Sequence, residues 1–242
     1  MKLIRTSILN FSLIALLAVG CSGTPVQPMP VEEPYAPVTD PGNFVTVIDN
    51  PYMPLEPGTT FVYEGKTEKG NETNEVFVTS ENKVILGISC IVVKDTVMVD
   101  GSLEEQTLDW YAQDKQGNVW YFGEDSKDYE NGKVVSTEGS WEAGVDGALP
   151  GIVMQANPVK DMTYRQEYLK GEAEDWASVL NLSETVTVMG KTYSDVLKTN
   201  EWSALDNPPV YEHKYYAKGV GFIMTKYLEG GFEMELTEIR KE

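Results

Sequence analysis

The spacing of the turn signals constrains this chain more than any other feature. From Thr59 onward, segments rich in β-branched and aromatic residues follow one another with links too short to carry the chain back across a sheet. Asp100-Gly101 separates 96–99 from 106–111, with Ser102 to Glu105 available to lengthen the loop. Asp114 to Asn118 separates 110–112 from 119–122, and Asn131-Gly132 separates 127–129 from 133–137. A parallel crossover needs a dozen or more residues, so strands joined in this way are antiparallel. Asn-Gly and Asp-Gly also suit the type I′ turn, whose two central residues need positive φ. Further strand segments are expected at 59–64, 75–79, 83–99, 163–168, 185–189, 191–199, 210–217, 221–227 and 232–239. Residues 141–158, with four glycines and prolines among 144–151 and Pro158, read as a long loop that forms a lid or rim. Residues 172–182 are the helix candidate: Glu172, Glu174 and Asp175 suit a helix N-terminus, and Trp176, Val179 and Leu180 share a face at helical spacing. The expected fold is therefore mainly β: a single antiparallel, strongly curved sheet or β-barrel of about ten to twelve strands with one short helix.

The N-terminus is of a different kind. Lys2 and Arg5 precede an apolar stretch, 11–19, that ends in Ala18-Val19-Gly20 before Cys21. It is too short to span a bilayer as a helix and reads as a signal peptide, residues 1–20. Between Cys21 and Phe44 stand Pro25, Pro28, Pro30, Pro34, Pro37 and Pro41, so 21–43 reads as a stiff extended tether and 44–242 as the folded domain.

Two resemblances follow from these residues. Leu17-Ala18-Val19-Gly20-Cys21 resembles the bacterial lipobox, with Ala18 where that family usually has Leu. The resemblance implies that Cys21 becomes a lipidated N-terminus. With Ser22 rather than Asp after it, it also implies outer-membrane attachment in a host with two membranes. The phrases Asn50-Pro51-Tyr52-Met53-Pro54-Leu55-Glu56-Pro57-Gly58-Thr59 and Tyr215-Tyr216-Ala217-Lys218-Gly219-Val220-Gly221 resemble phrases at the two ends of secreted prokaryotic lipoproteins without assigned activity. That resemblance implies one extracytoplasmic domain and carries no substrate or cofactor.

Composition excludes several functions. With 38 Asp+Glu against 19 Lys+Arg, the formal charge is −19, which opposes nucleic-acid binding by a basic face. One histidine and two cysteines cannot build the usual zinc sites, and no cofactor is indicated. Gly190-Lys191-Thr192 lacks the earlier glycine of a phosphate-binding loop, since Thr185 stands at that place. His213 lies in a strand and reads as a rim residue. Cys90, inside the apolar run 84–93, reads as core once Cys21 is lipidated. The acidic groups Glu124-Asp125-Ser126-Lys127-Asp128 and Asp109/Asp114 read as solvated strand ends, and no metal site is expected from them.

The aromatic residues supply the candidate site. Trp110, Trp120, Trp141, Tyr168 and Tyr215 fall on neighbouring segments. Alternation puts adjacent residues on opposite faces, one of which must be core. If the other is the concave side of the sheet, these five line a cleft for a small amphipathic or lipid-like ligand. If both faces are packed, they are core. The leading reading is a lipid-anchored cell-envelope protein that binds such a ligand or an envelope partner. A carboxylate-dependent hydrolase and a purely structural envelope protein are the alternatives. The interior discriminates them: an apolar cavity, a carboxylate-lined cleft, or full packing.

Overall fold

The computed structural model describes residues 35–241. The expected signal peptide, Cys21 and most of the expected tether lie outside the described residues. Among the described residues the one helical element is a 3-10 turn, Pro41–Asn43, capped by Asp40, whose carboxylate accepts from the Gly42 amide at 2.9 Å. The strands are β1 Phe44–Val45, β2 Thr59–Thr67, β3 Gly70–Ile85, β4 Ile88–Val99, β5 Ser102–Asp114, β6 Val119–Glu130, β7 Lys133–Ser136 and β8 Trp141–Glu142. They continue as β9 Leu149–Met154, β10 Thr163–Arg165, β11 Glu167–Tyr168, β12 Asp175–Val188, β13 Lys191–Ser203, β14 Tyr211–Ala217, β15 Gly221–Tyr227 and β16 Glu233–Lys241.

Pairing closes these strands into a nearly complete antiparallel barrel. β2 to β6 form one meander and β12 to β16 another, and β16 returns to pair with β2. On the far side β6 pairs with β9, β9 with β11, and β12 with β10. Only Gln166 separates β10 from β11, so the two ends of the sheet are consecutive in sequence, and the Gln166 amide donates to the Asp175 carbonyl at 2.8 Å. Closure removes the long unpaired edges that a sheet of this size would otherwise present. The expected turns form: Asp100 and Gly101 have φ of 47° and 81°, Asn131 and Gly132 of 51° and 73°. Val99 pairs directly with Ser102, so the first loop has two residues and 102–105 are strand.

Two expectations are corrected. Residues 172–182 are not a helix; they run into β12, where Ala177 and Val179 are fully buried and Trp176 stacks on Trp202 at 6.4 Å. Both a 3.6 and a 2.0 period fit so short a segment, and ten residue pairs with β13 decide for the strand. Residues 141–158 are not simply a loop either. β8 and β9 both pair with β6, and β9 carries the sheet on to β11.

One end of the barrel is closed by the segment before β2. Ile48, Tyr52 and Leu55 are buried in the core there. Asn50 donates from Nδ2 to the carbonyls of Gly117 (2.8 Å) and Gln155 (3.1 Å), and Pro51 accepts from the Gly219 amide at 2.7 Å. The β5–β6 and β14–β15 turns lie well apart around the barrel, so this segment is a strap across its end. Above the strap the interior is apolar and filled: Val78, Leu197, Ile223 and Leu236 have no exposure, and on the outer face, paired with Lys83, Cys90 is also fully buried. Burial pushes the Cys90 thiol up to about 12.

The acid-lined interior as candidate functional site

Toward the other end the inner face changes character. Strand alternation and register align three rows across β3 to β6: Asn74, Val97, Glu105 and Asp128; Val76, Asp95, Thr107 and Ser126; Val78, Val93, Asp109 and Glu124. These acids are inside the barrel, with Asp95, Asp109 and Glu124 at most 6% exposed. Hydroxyls and one amide serve them. Tyr121 Oη donates to Asp109 Oδ1 at 2.5 Å, Thr107 Oγ1 and Ser126 Oγ donate to Glu105 Oε1 at 2.9 and 3.2 Å, and Asn74 Nδ2 lies 3.4 Å from Asp95 Oδ2. The group 124–128, expected as a solvated strand end, is thus part of β6, and every second residue of it points inward.

The opposite wall carries the single buried cation among the described residues. Lys214 on β14 places Nζ 2.8 Å from Glu201 Oε2 and 2.9 Å from Glu212 Oε1. Thr199 and Tyr216 hydroxyls donate to Glu201 Oε1 at 2.7 and 3.0 Å, and Thr225 Oγ1 donates to Glu212 Oε2 at 3.1 Å. Burial alone would raise the Glu201 pKa, but the Lys214 ammonium and the hydrogen bonds from Lys214, Thr199 and Tyr216 together outweigh it and hold the carboxyl below the usual range. The same two carboxylates hold Lys214 well above the ordinary lysine range against the effect of its burial. This network leaves one positive charge against two negative ones, so it does not neutralise the acids across the barrel.

Those acids respond as crowded carboxyls must. Burial, reinforced by Asp109 and Glu105, pushes Asp95 up to about 7. Burial also lifts Asp175 to about 6, although a Ser203 hydrogen bond and Lys214 pull the other way. Glu167 on β11 accepts from Trp141 Nε1 at 3.1 Å, and its carboxyl is held well above the usual range by burial and by the charges of Asp175 and Glu124.

The five aromatic candidates are divided between the faces. Trp141 pairs with Glu124, meets Tyr121 edge-on at 5.3 Å and so belongs to the inner face. Trp110 is buried on the outer side under the Lys83 ammonium, which is 3.3 Å from its ring centre and 2.7 Å from Glu142. Trp120 donates to Asp114 at 2.9 Å and packs edge-on to Phe44. Tyr168 lies under Arg165 on the outer face, in a ladder that continues through Trp176 and Trp202 to Tyr211. Tyr215, also outward, is covered by Lys198. The acids are what an aromatic count overlooks. Their signal is present in 104–107 and 124–128, where both alternating sets are polar. In a sheet that closes on itself one set must face inward.

The fold and site define a nearly closed antiparallel barrel with a strapped apolar end and a carboxylate-rich end. No protein-family model matches the chain, and no curated protein matches it. Among solved structures it is similar to a protein from Bacteroides fragilis described as exported, with a YmcC-like fold. Identity is 14% and the TM-score 0.45, over 78% of this chain and 99% of that one. It is also similar to a protein from Parabacteroides distasonis described as a lipoprotein, at 14% identity and a TM-score of 0.42, over 78% of this chain and 98% of that one.

Proposed function

We propose that this is a cell-envelope binding protein, attached to the membrane through a lipid on Cys21, whose barrel holds a small ligand rich in hydrogen-bond donors. The observation that carries the reading is the inner face of β3 to β6, where Asp95, Asp109 and Glu124 are buried on one wall while the single buried lysine is engaged by Glu201 and Glu212 on the other. An acyl chain against such a wall would strip water from carboxylates and return no hydrogen bonds, at a cost of several kcal/mol. The apolar half of the interior is filled by the protein's own side chains. A ligand with amine or hydroxyl donors matches the acceptors, so the polar group, and not a tail, governs recognition. The test is native mass spectrometry of the protein purified from membranes of its host, followed by thermal-shift measurements with amines and oligosaccharides. A co-purifying polar small molecule supports the reading. Absence of any such molecule together with no shift from either class overturns it.

A carboxylate hydrolase is the second reading, favoured by one observation. Glu167, with its raised pKa, neighbours Glu124 and Asp175, and a protonated carboxyl beside an ionised one is the arrangement that acid–base cleavage uses. Turnover of chromogenic glycosides or esters by the wild type and its loss in Glu167→Gln would establish it. No turnover across such a panel would dismiss it.

A further inference from the structure

Two hairpins outrun the barrel at its strapped end. Thr60 of β2 pairs with Phe77, yet β3 continues to Ile85 and returns as β4 through Leu86-Gly87. In the other meander Tyr216 of β14 pairs with Leu197, yet β13 begins well before that, at Lys191, and is joined to β12 through Met189-Gly190. Both connections have two residues, since Ile85 pairs with Ile88 and Val188 with Lys191.

Three observations set these tips apart. The first is strain. Leu86 and Met189 have φ of 51° and 54°, a region that Asn, Asp and Gly enter readily and bulky side chains do not. At the opposite end the same kind of turn is built from Asp100-Gly101 and Asn131-Gly132. Burial does not offset the strain: Leu86 and Met189 are 46% and 47% exposed, and Val84 beside the first tip is 69% exposed. Leu86 reaches only as far as Gly144, next to Val145, which is exposed as well. The second is charge. Residues 83–94 and 185–194, the arms of the two hairpins, hold Lys83, Lys94 and Lys191 and no Asp or Glu, in a chain with 38 acids among 242 residues. The third is position. A Cβ on Gly87 would stand 3.2 Å from Pro41 Cγ, so the segment that leads from Cys21 joins the fold beside the Leu86 tip.

We propose that Leu86 and Met189, with Val84 and Val145, dip into the lipid surface to which Cys21 attaches the chain, so that the barrel stands on the membrane by its strapped end. Exposed apolar groups of this kind mark interaction sites. A bilayer accepts single apolar side chains from two separate hairpins, whereas a protein partner would need a pocket for each. Asp146 follows Val145, so apolar insertion and not attraction to anionic lipid holds this end. Each side chain inserts weakly alone, and the lipid on Cys21 supplies the local concentration that makes the insertion count. The inference rests on lipid attachment at Cys21 and is independent of what the barrel holds.

The test uses the lipidated full-length protein in phosphatidylcholine vesicles. A single fluorophore is placed at Leu86→Cys, at Met189→Cys or, as a control of similar exposure at the other end, at Val134→Cys on β7. Cys90 is buried and Cys21 carries the lipid, so the label goes to the new cysteine. Doxyl-labelled lipid should quench positions 86 and 189 at least threefold more than position 134. Vesicle-bound protein with no quenching at 86 and 189, or with equal quenching at all three, overturns the proposal and leaves lipid attachment standing. Protein that does not stay with the vesicles overturns both. A fold-only role is separated by Met189→Asn, which suits the turn: its melting temperature in detergent should equal or exceed that of the wild type, and a fall would show that Met189 serves the fold and overturn the proposal.

Discussion

Asp95→Asn should stabilise the protein at pH 8 and leave it unchanged at pH 4. Asp95 is 6% exposed in the inner row between Val76 and Thr107, and its carboxyl is pushed from 3.8 to about 7, first by burial and then by Asp109 and Glu105. In the unfolded chain the group ionises near pH 4; in the fold it stays protonated until about pH 7. Between those values the folded state binds the extra proton, so this group's contribution is fully present below pH 4 and is lost as pH rises through 7. At about 1.4 kcal/mol per pH unit, three units amount to about 4 kcal/mol of charge-burial cost carried by the wild type at pH 8. Asparagine keeps the shape, can still accept from Asn74, and never acquires the charge. The expected gain at pH 8 is about 2–4 kcal/mol, which for a domain near 200 residues corresponds to roughly 5–15 °C in melting temperature. Thermal and urea unfolding of both proteins at one-unit steps from pH 4 to 8 measures it. A difference that does not grow with pH, or a variant that is less stable at pH 8, would refute the account of the interior as a set of strained carboxyls.

Three further outcomes follow from particular contacts. Lys214→Met should cost about 3–5 kcal/mol in urea unfolding, because it strands two buried carboxylates; adding Glu201→Gln and Glu212→Gln should recover most of that loss, and failure to recover would mean that the lysine stem and not its charge matters. Gly151→Ala should destabilise by about 1–3 kcal/mol, since its Cβ would collide with the Gln166 backbone where the sheet closes; an unchanged melting temperature would show that closure is looser than described. Cys21→Ser should move the protein from the membrane to the soluble extracytoplasmic fraction, and continued membrane association would refute lipid attachment.

The fold was legible where local chemistry decides it. Asp100-Gly101 and Asn131-Gly132 adopt the positive φ that their turns require, and short links forced antiparallel pairing. Local chemistry failed where tertiary contacts decide. Trp176, Val179 and Leu180 fit a helix face as well as a strand, until stacking on Trp202 and Arg165 and pairing with β13 select the strand. The glycines and prolines of 141–158 mask β9, a short strand whose Gly151 is needed for close approach to Gln166. The site was the least legible part. Glu105, Asp109 and Glu124 look like the surface acids of any acidic protein, and only closure of the sheet turns their alternating set inward. Trp141 alone of the five aromatic candidates faces that set, because the path of β8 beside β6 is a tertiary fact.

The two phrases at the ends of the domain acquire a physical meaning once closure is seen. They are some 160 residues apart in sequence and touch in the structure: Pro51 accepts from Gly219, and the Lys218 ammonium lies 5.6 Å from the centre of the Tyr52 ring. A barrel whose interior is apolar at one end must cover that end, and the cover must also satisfy the backbone groups of the turns it crosses. Asn50 does so for Gly117 and Gln155, and Pro51 for Gly219, which accounts for an Asn-Pro-Tyr strap opposite a Gly-x-Gly turn. β1, the last element before the strap, pairs with Gln113 and Asp114 at the strap end, so the chain joins the barrel there.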